Sequence, residues 1–365
     1  MGDNQLSTLG NFVTTKIPNN QLTSLTYIGN DNLLSNFQGV VESTYVPDSG
    51  SSTKFQEGDI LIGNIRPYLR KIWLADRDGG ASNDVLVFRT NIRKDSEFIF
   101  YCLTSNDFIS HTMVGSKGTK MPRGDKGHIL KYEIPRFEFA EQQTVSTFFK
   151  SLDKKIANNF NICRYLENLG REYFKMTYRV VDEGALNLKL SDLLVKNSKK
   201  YKSSKESMAI DLSVMPSDSV LLFDTNFSTN FDTNLFELNK GDFLVGSIRP
   251  YLKKIGISPI NGAVTGTVLS FKSLDKRFDA FLLFLLDSPD FKQYLVSCSK
   301  GTKMPVIDSD IVLRYEFVTS DDVIDKFNSQ YNFINPIINL LAENIELKRI
   351  KDELLPLVIS KNITL

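Results

Sequence analysis

The chain is poor in the residues that carry covalent or metal chemistry, with two histidines, three cysteines and one tryptophan in 365 residues. Cys102, Cys163 and Cys298 are far apart and odd in number, which excludes a disulfide framework or a zinc knuckle and fits a reducing cytoplasm. A charge excess is also missing. The formal net charge of +1 excludes a protein that coats nucleic acid by bulk positive charge, although a neutral total still permits a basic face. No stretch approaches 18 consecutive apolar residues, and Met1–Gly10 has no basic segment followed by an apolar one, so neither membrane insertion nor secretion is expected. Glycine-rich phosphate cradles of the GxGxxG or GxxxxGK[ST] type are absent. GSKGTK at 115–120 has the wrong spacing for one.

What is present is aromatic mass and repetition. With 26 Phe, 13 Tyr and 41% hydrophobic residues, the chain has material for two separate cores, the natural expectation at this length. GDILIGNIRPYLRKI at 58–72 and GDFLVGSIRPYLKKI at 241–255 share 11 of 15 residues at a displacement of 183. SKGTKMP at 116–122 recurs unchanged at 299–305, and KYE at 131–133 returns as RYE at 314–316, both with the same displacement. Matched blocks at one spacing mean a duplicated domain, since solenoid units are far shorter. Between the blocks, Trp73–Phe88 and Gly256–Phe271 have little in common, as expected if two related frames carry readers of different ligands. Strands are predicted at Asp59–Gly63, Val85–Arg89, Asp242–Gly246 and Val268–Lys272, and helices at Ser96–Ser110 and Arg277–Val296, giving an α+β domain.

After each domain the spacing turns helical. Val145, Phe149, Leu152, Ile156, Asn159, Cys163, Leu166, Gly170 and Tyr173 step by four and three, as along a coiled-coil seam. Phe327, Tyr331, Ile334, Ile338, Leu341 and Ile345 repeat the steps. A helix from about Glu141 to Thr177 would be roughly 55 Å long, which suggests a spacer whose duplicate pairs with it antiparallel. Two amphipathic helices, each packed on its own domain, are the competing reading. Asn159 and Gly170 weaken the seam, Pro336 is expected to kink or start the second helix, and beyond Ile345 the pattern slips to Leu347, Ile350, Leu354 and Leu357.

The basic residues cluster. Residues 116–136 carry Lys117, Lys120, Arg123, Lys126, Lys131 and Arg136 against Asp125 and Glu133, and Lys189–Lys205 is similarly basic. SKGTKMP sets two lysines and two hydroxyls around a glycine, suited to presenting ammonium groups and backbone N–H donors to phosphate. Lys117, Lys120, Arg123, Lys300 and Lys303 are therefore candidate DNA contacts. A tight turn with its lysines in solvent reads equally from the sequence. In IRPYL, Arg66 and Arg249 have the fork that fits guanine O6 and N7 or a phosphate, with Tyr68 and Tyr251 beside them, though a structural strand end is also open. Catalytic material is thin. The positions displaced by 183 from His111 and His128 are Tyr294 and Ile311, so no histidine site is duplicated. Glu346–Lys348 lies on a predicted helix far from any acidic pair, and Asn335–Pro336 is followed by isoleucines instead of completing an NPPF tetrapeptide. No catalytic or metal site is expected.

YIGNDNLLSNFQGV at 27–40, the duplicated GDILIGNIRPYL block and EIPRFEFAEQQTVSTFFKSLDKKI at 133–156 resemble the specificity subunits of type I restriction-modification systems. The resemblance implies two target-recognition domains, 1–137 and 179–320, separated by two long antiparallel helices, 138–178 and 321–360, that form a coiled-coil spacer. It further implies that each domain reads half of a bipartite, asymmetric site in double-stranded DNA through the major groove. Two methyltransferase subunits would dock on the helices, and restriction subunits would join the fuller assembly. S-adenosylmethionine, ATP and Mg would be bound by those partners and no cofactor by this chain, which would be a non-catalytic cytoplasmic component of host defence. The second helix has no equivalent of Glu141–Gln143, so one docking face is expected to differ. A standalone two-headed DNA-binding regulator is the alternative.

Overall fold

The computed structural model describes residues 4–118, 120–178, 185–202, 206–331 and 334–365; the side chains of Gln330 and Tyr331 lie outside the described set. Two compact units are present, Met1–Asp153 with Ile350–Leu365, and Lys154–Arg349.

In unit 1, Gly10–Phe12, Val85–Thr90, Ile60–Gly63 and Ile72–Leu74 form an antiparallel sheet in that order. Lys16–Pro18, Ser51–Phe55, Gly79–Ala81 and Tyr27–Ile28 form a second, mixed one, whose last pair is parallel. Unit 2 repeats both sheets, with Val268–Ser273, Phe243–Gly246 and Ile255–Ile257 in the first and Leu235–Leu238, Gly262–Thr265 and Met208–Ile210 in the second. The duplication extends to register: Ile60 lies opposite Phe88 and Phe243 opposite Phe271, each pair displaced by 183. Ile60–Gly63 is wholly buried because both its faces are covered. Alternate side chains point to opposite faces, so Ile60 and Ile62 join the core under the helices while Leu61 joins the core between the sheets. Phe243, Val245 and Leu244 divide in the same way in unit 2.

Two helices cover the first sheet of each unit, Ser96–Leu103 and Asn106–Val114 in one, Asp279–Asp287 and Pro289–Ser297 in the other. The second helix of each pair starts on a serine cap: Ser105 accepts from the Phe108 N–H and Ser288 from the Phe291 N–H, both at 3.2 Å. Trp73–Phe88, whose divergence suggested a variable reading surface, is mostly buried strand. The divergence there is in core packing. Trp73 packs edge-on against Phe55, whereas a Cβ on its counterpart Gly256 would sit 2.2 Å from Leu222 Cδ1.

Phe139–Tyr178 is one helix of 40 residues, and the duplicate run forms Asp321–Tyr331 and Ile334–Ile359, residues 332–333 between them lying outside the described set. Pro336 lies in the first turn of its helix, where the missing N–H breaks no intrahelical bond. The pairing is antiparallel in each unit. In unit 2, Asn344 Nδ2 donates to the Ile156 carbonyl at 3.1 Å, Asn159 Nδ2 to Glu343 at 2.7 Å, and the Cys163 thiol approaches the Ile337 carbonyl at 3.9 Å. In unit 1, Lys351 pairs with Asp153, and Lys361 with Glu141 at 3.7 Å. Val145, Phe149, Phe327, Ile334, Ile338 and Leu341 are buried, while Leu152, Ile156, Leu166 and Tyr173 are half-buried. Beyond Cys163 Gly170 stays buried as the seam has it, while Leu166 and Tyr173 give way to Glu167 and Phe174, because a straight helix drifts from a strict seven-residue repeat. In the second helix it passes to Leu355, Val358 and Ile359 instead of Leu354 and Leu357.

The helices also belong to the domain cores. Val145 and Phe149 share a core with Phe98, Tyr101 and Val358, and Ile345 joins Leu222 and Leu238 in unit 2. Gly170 has a reason its helix propensity hides: a Cβ there would lie 2.0 Å from Phe284 Cζ. Next to it, Arg171 meets Asp287 at 2.5 Å and Glu167 at 3.2 Å. Burial pushes the Glu167 carboxyl above its usual range, opposed chiefly by Arg171 and the Val220 N–H.

Candidate nucleic-acid interface

In each unit IRPYL forms a turn with a strained entry. Arg66 has φ 52° and ψ 67°, Arg249 φ 52° and ψ 62°, and the turn exits through Arg70 and Lys253, also left-handed. Non-glycine residues rarely adopt this conformation, which costs about 1 kcal/mol or more each. Its recurrence at four matched positions shows that the surrounding backbone imposes it. Between entry and exit the prolines Pro67 and Pro250 are buried at the start of a short 3₁₀ turn, which throws Arg66, Tyr68, Arg249 and Tyr251 outward; Tyr68 is 49% and Tyr251 51% exposed.

SKGTKMP is a hairpin tip. Lys117 and Arg123 exchange both backbone hydrogen bonds at 2.9 Å, as do Lys300 and Val306. Gly118 and Gly301 have φ of +96° and +99°, which explains why glycine stands at the same place in both copies. Thr119, one of the two hydroxyl residues of the first copy, lies outside the described residues. The two motifs, some fifty residues apart, meet in each unit. The Arg66 N–H donates to the Pro122 carbonyl and the Arg249 N–H to the Pro305 carbonyl, both at 2.8 Å, while Ile65 bridges Arg123 and Ile248 bridges Val306. Arg66, Tyr68, Lys117, Lys120 and Arg123 thus share one surface of unit 1, and Arg249, Tyr251, Lys300 and Lys303 share the matching surface of unit 2.

The charges on the two surfaces differ. Lys117 pairs with Asp125 at 3.0 Å and Arg123 with Asp84 at 3.1 Å. The Asp125 carboxyl is held below its usual range, first by the His128 backbone N–H and then by Lys117. Val306 and Thr267 stand where Arg123 and Asp84 would be. Among the described residues, Arg66, Lys120, Arg249, Lys300 and Lys303 form no side-chain ion pair.

Two features escaped the sequence reading. Lys71 Nζ donates to the Asn30 carbonyl at 2.8 Å, and its counterpart Lys254 donates to the carbonyls of Leu212 and Met215 at 2.6 and 2.8 Å, so each anchors the loop after a mixed-sheet strand. Burial lowers the Lys254 pKa. Their identity in RKI and KKI was the available signal. The second feature is the histidine pair. His111 and His128 stack at 4.1 Å, and the Nε2 of each faces the other's carbonyl oxygen at 2.8 and 3.0 Å. Unit 2 makes the same tie differently, with the Tyr294 hydroxyl donating to the Ile311 carbonyl at 2.9 Å. The histidines therefore fasten the helix before the hairpin to the turn after it. Among the described residues, no three His, Cys, Asp or Glu side chains gather as a metal site would require, and no helix is long and apolar enough to cross a membrane.

No protein-family model matches the chain. A specificity subunit of the type I restriction enzyme EcoDI from Escherichia coli is 28% identical over 104 residues, which span 28% of this chain and 23% of that protein. Among solved structures, the crystal structure of the S subunit of a type I restriction-modification system from M. genitalium superposes with a TM-score of 0.60 at 14% identity, covering 97% of this chain and 94% of that one. The chain has the fold of a type I specificity subunit. The HsdS subunit from Thermoanaerobacter tengcongensis aligns over 98% of this chain and 96% of its own at 15% identity, with a TM-score of 0.39. The sequence similarity and the superposition are both to type I specificity subunits.

Proposed function

We propose that this chain is the DNA-reading specificity subunit of a type I-like restriction-modification complex. The observation that carries the reading is the paired construction just described, in which unrelated stretches of sequence are stitched together twice to present an arginine, a tyrosine and lysines. Such a surface positions a protein on duplex DNA: lysines neutralise phosphates, and an arginine fork reads a base edge or grips the backbone. Lys117, Lys120, Arg123, Lys300 and Lys303 are assigned to the backbone, and Arg66, Tyr68, Arg249 and Tyr251 to the groove.

Each unit reads one half of a bipartite site, and the differences between the units make that site asymmetric. The paired helices set the unread spacer and dock two methyltransferase subunits, with restriction subunits joining in the complete assembly. The chain itself binds no cofactor and performs no chemistry. S-adenosylmethionine, and ATP and Mg where cleavage occurs, belong to the partners, and the whole operates in the cytoplasm. The names of the E. coli and M. genitalium relatives support this reading, as does the scarcity of catalytic residues.

The test is methylome sequencing of cells that express this chain with a candidate methyltransferase subunit from the same source. A split, asymmetric methylated motif that vanishes when Arg66 and Arg249 are both replaced by alanine is expected. Methylation independent of this chain would refute the assignment. Tight binding to a single site by the chain alone, with no methyltransferase co-purifying, would favour a standalone regulator.

A further inference from the structure

The basic run Lys189–Lys205 lies outside the duplicated site, and the matching stretch of unit 1 carries a single charged residue, Lys16. Lys189 and Lys199 are spoken for, by Glu316 at 3.0 Å and Glu237 at 2.8 Å, and Lys205 lies outside the described residues. Lys196, Lys200 and Lys202 are exposed and form no ion pair among the described residues. Residues 199–201 run along the edge of the mixed sheet of unit 2. Lys200 bridges Phe236, the Glu237 N–H donates to the Lys199 carbonyl at 2.7 Å, and the Tyr201 N–H donates to the Leu235 carbonyl at 2.9 Å.

The same edge in unit 1 is differently used. Lys16 lies opposite Thr53 as Lys200 lies opposite Phe236, so the edge strand is offset by 184 and Pro18 stands where Lys202 does. Lys16 Nζ donates to Thr53 Oγ1 at 3.1 Å and to Asn83 Oδ1 at 3.2 Å. One tethered cation and a proline thus correspond to two exposed cations on one face of a strand, since alternate residues share a face.

This edge is continuous with the site of unit 2. Leu235 lies opposite Thr265, the Thr265 and Thr267 hydroxyls are 2.9 Å apart, and the Thr267 carbonyl accepts from the Ser247 N–H at 2.9 Å, two residues before Arg249.

We propose that the edge strand of unit 2 is a phosphate-binding track for duplex DNA, in which Lys200 and Lys202 extend the Arg249–Lys303 surface along the backbone with two exposed cations, where unit 1 has the tethered Lys16 and Pro18. The inference rests on the DNA-reading function proposed above.

The probe is a labelled duplex of random sequence, titrated with the full chain at several salt concentrations. Each lost phosphate contact lowers the slope of log affinity against log salt by about 0.9, so Lys200→Gln with Lys202→Gln should flatten it by about 1.8. Lys200→Arg with Lys202→Arg should restore it. An unchanged slope in the glutamine variant, with or without new self-association at the uncharged edge, would overturn the track and leave the DNA-reading function standing if Lys300→Gln with Lys303→Gln still flattened the slope. Absence of salt-dependent binding by the wild-type chain would overturn both. A melting temperature unchanged by the exposed substitutions confirms that the slope reports on contacts and not on folding.

Discussion

The two units share a backbone register yet differ in almost every device that fills it. Asp59 is buried and held by both nitrogens of the Arg89 fork, at 2.8 and 2.7 Å. Lys272 stands in the sequence where that arginine would be, and the counterpart Asp242 forms no ion pair among the described residues. It makes hydrogen bonds with Asn239 and more distantly with Asn197 and Ser270. Trp73 in one unit is answered by Gly256 and Leu222 in the other, and a histidine stack by a tyrosine. In both units the entry arginine, its tyrosine and the second lysine of the hairpin stay exposed, and neither that arginine nor that lysine is ion-paired among the described residues. Several parts that the frame requires have been rebuilt with different side chains, whereas these exposed residues, which make no ion pair in the frame, have stayed the same. That contrast is what the proposed DNA-reading role expects of them.

The largest effect should come from the position that has no freedom at all. Gly170→Leu drives a side chain into Phe284 and should destabilise unit 2 by about 3 kcal/mol, well beyond any gain in helix propensity. Hydrogen exchange should show residues 279–287 losing protection while residues 96–103 keep theirs. Equal loss in both would mean that the units do not hold their cores independently.

Next in size is one substitution made twice. Asp59→Asn breaks a bidentate pair whose carboxylate is buried and whose arginine is partly exposed, so about 2 kcal/mol should be lost, below the 3–5 of a fully buried pair. Asp242→Asn should be within about 1 kcal/mol of neutral, because the Asn239 N–H can still donate to the amide oxygen. The pH dependence separates them further. Burial pushes the Asp242 carboxyl above its unfolded pKa, so the folded chain holds a proton the unfolded chain releases. Its contribution to stability is present at acid pH and fades as pH rises through the folded value. Asp242→Asn should remove that decline in denaturant midpoints between acid and neutral pH; an unaltered pH profile would show that Asp242 does not titrate in the folded protein.

Smaller again are the effects on DNA. Lys120→Glu and Lys303→Glu should each weaken binding to any duplex and flatten its salt dependence by about 1. Lys117→Glu should do less, since Asp125 already engages that ammonium. If Lys117→Glu matched Lys303→Glu, the ion pairs of unit 1 would be opening on the DNA.

The duplication, the strands around the matched blocks and the helical seam are legible in the sequence because each depends on neighbours a few residues away or on repetition itself. The seam holds through Cys163 and again at Gly170, but at Leu166 and Tyr173 the buried side chain is the next residue, Glu167 and Phe174. Phe174 and Gly170 answer to Phe281 and Phe284, more than a hundred residues on, and no periodicity within one helix encodes that contact. The candidate site was half visible: its residues could be named from composition, but the backbone bonds that join Arg66 to Pro122 and Arg249 to Pro305 could not. Lys71 and Lys254, kept in both copies, are loop anchors, a role that composition alone does not distinguish from a phosphate contact.

The smallest net effect tests whether the two frames are interchangeable. His128 fits because residue 115 is glycine: a Cβ there would lie 2.2 Å from the imidazole, and the equivalent position in unit 2 is Cys298, with Ile311 in place of the histidine. Gly115→Cys alone should therefore cost about 2 kcal/mol through overpacking. Added to His111→Tyr and His128→Ile it should cost almost nothing, because the ring that blocks the thiol is gone and the tyrosine hydroxyl reaches the same carbonyl as in unit 2. Residues in contact are expected to be non-additive in this way. If the triple variant were instead as unstable as the sum of its parts, the units would differ in backbone around the hairpin as well as in side chains, and the 183-residue register would stop short of the site.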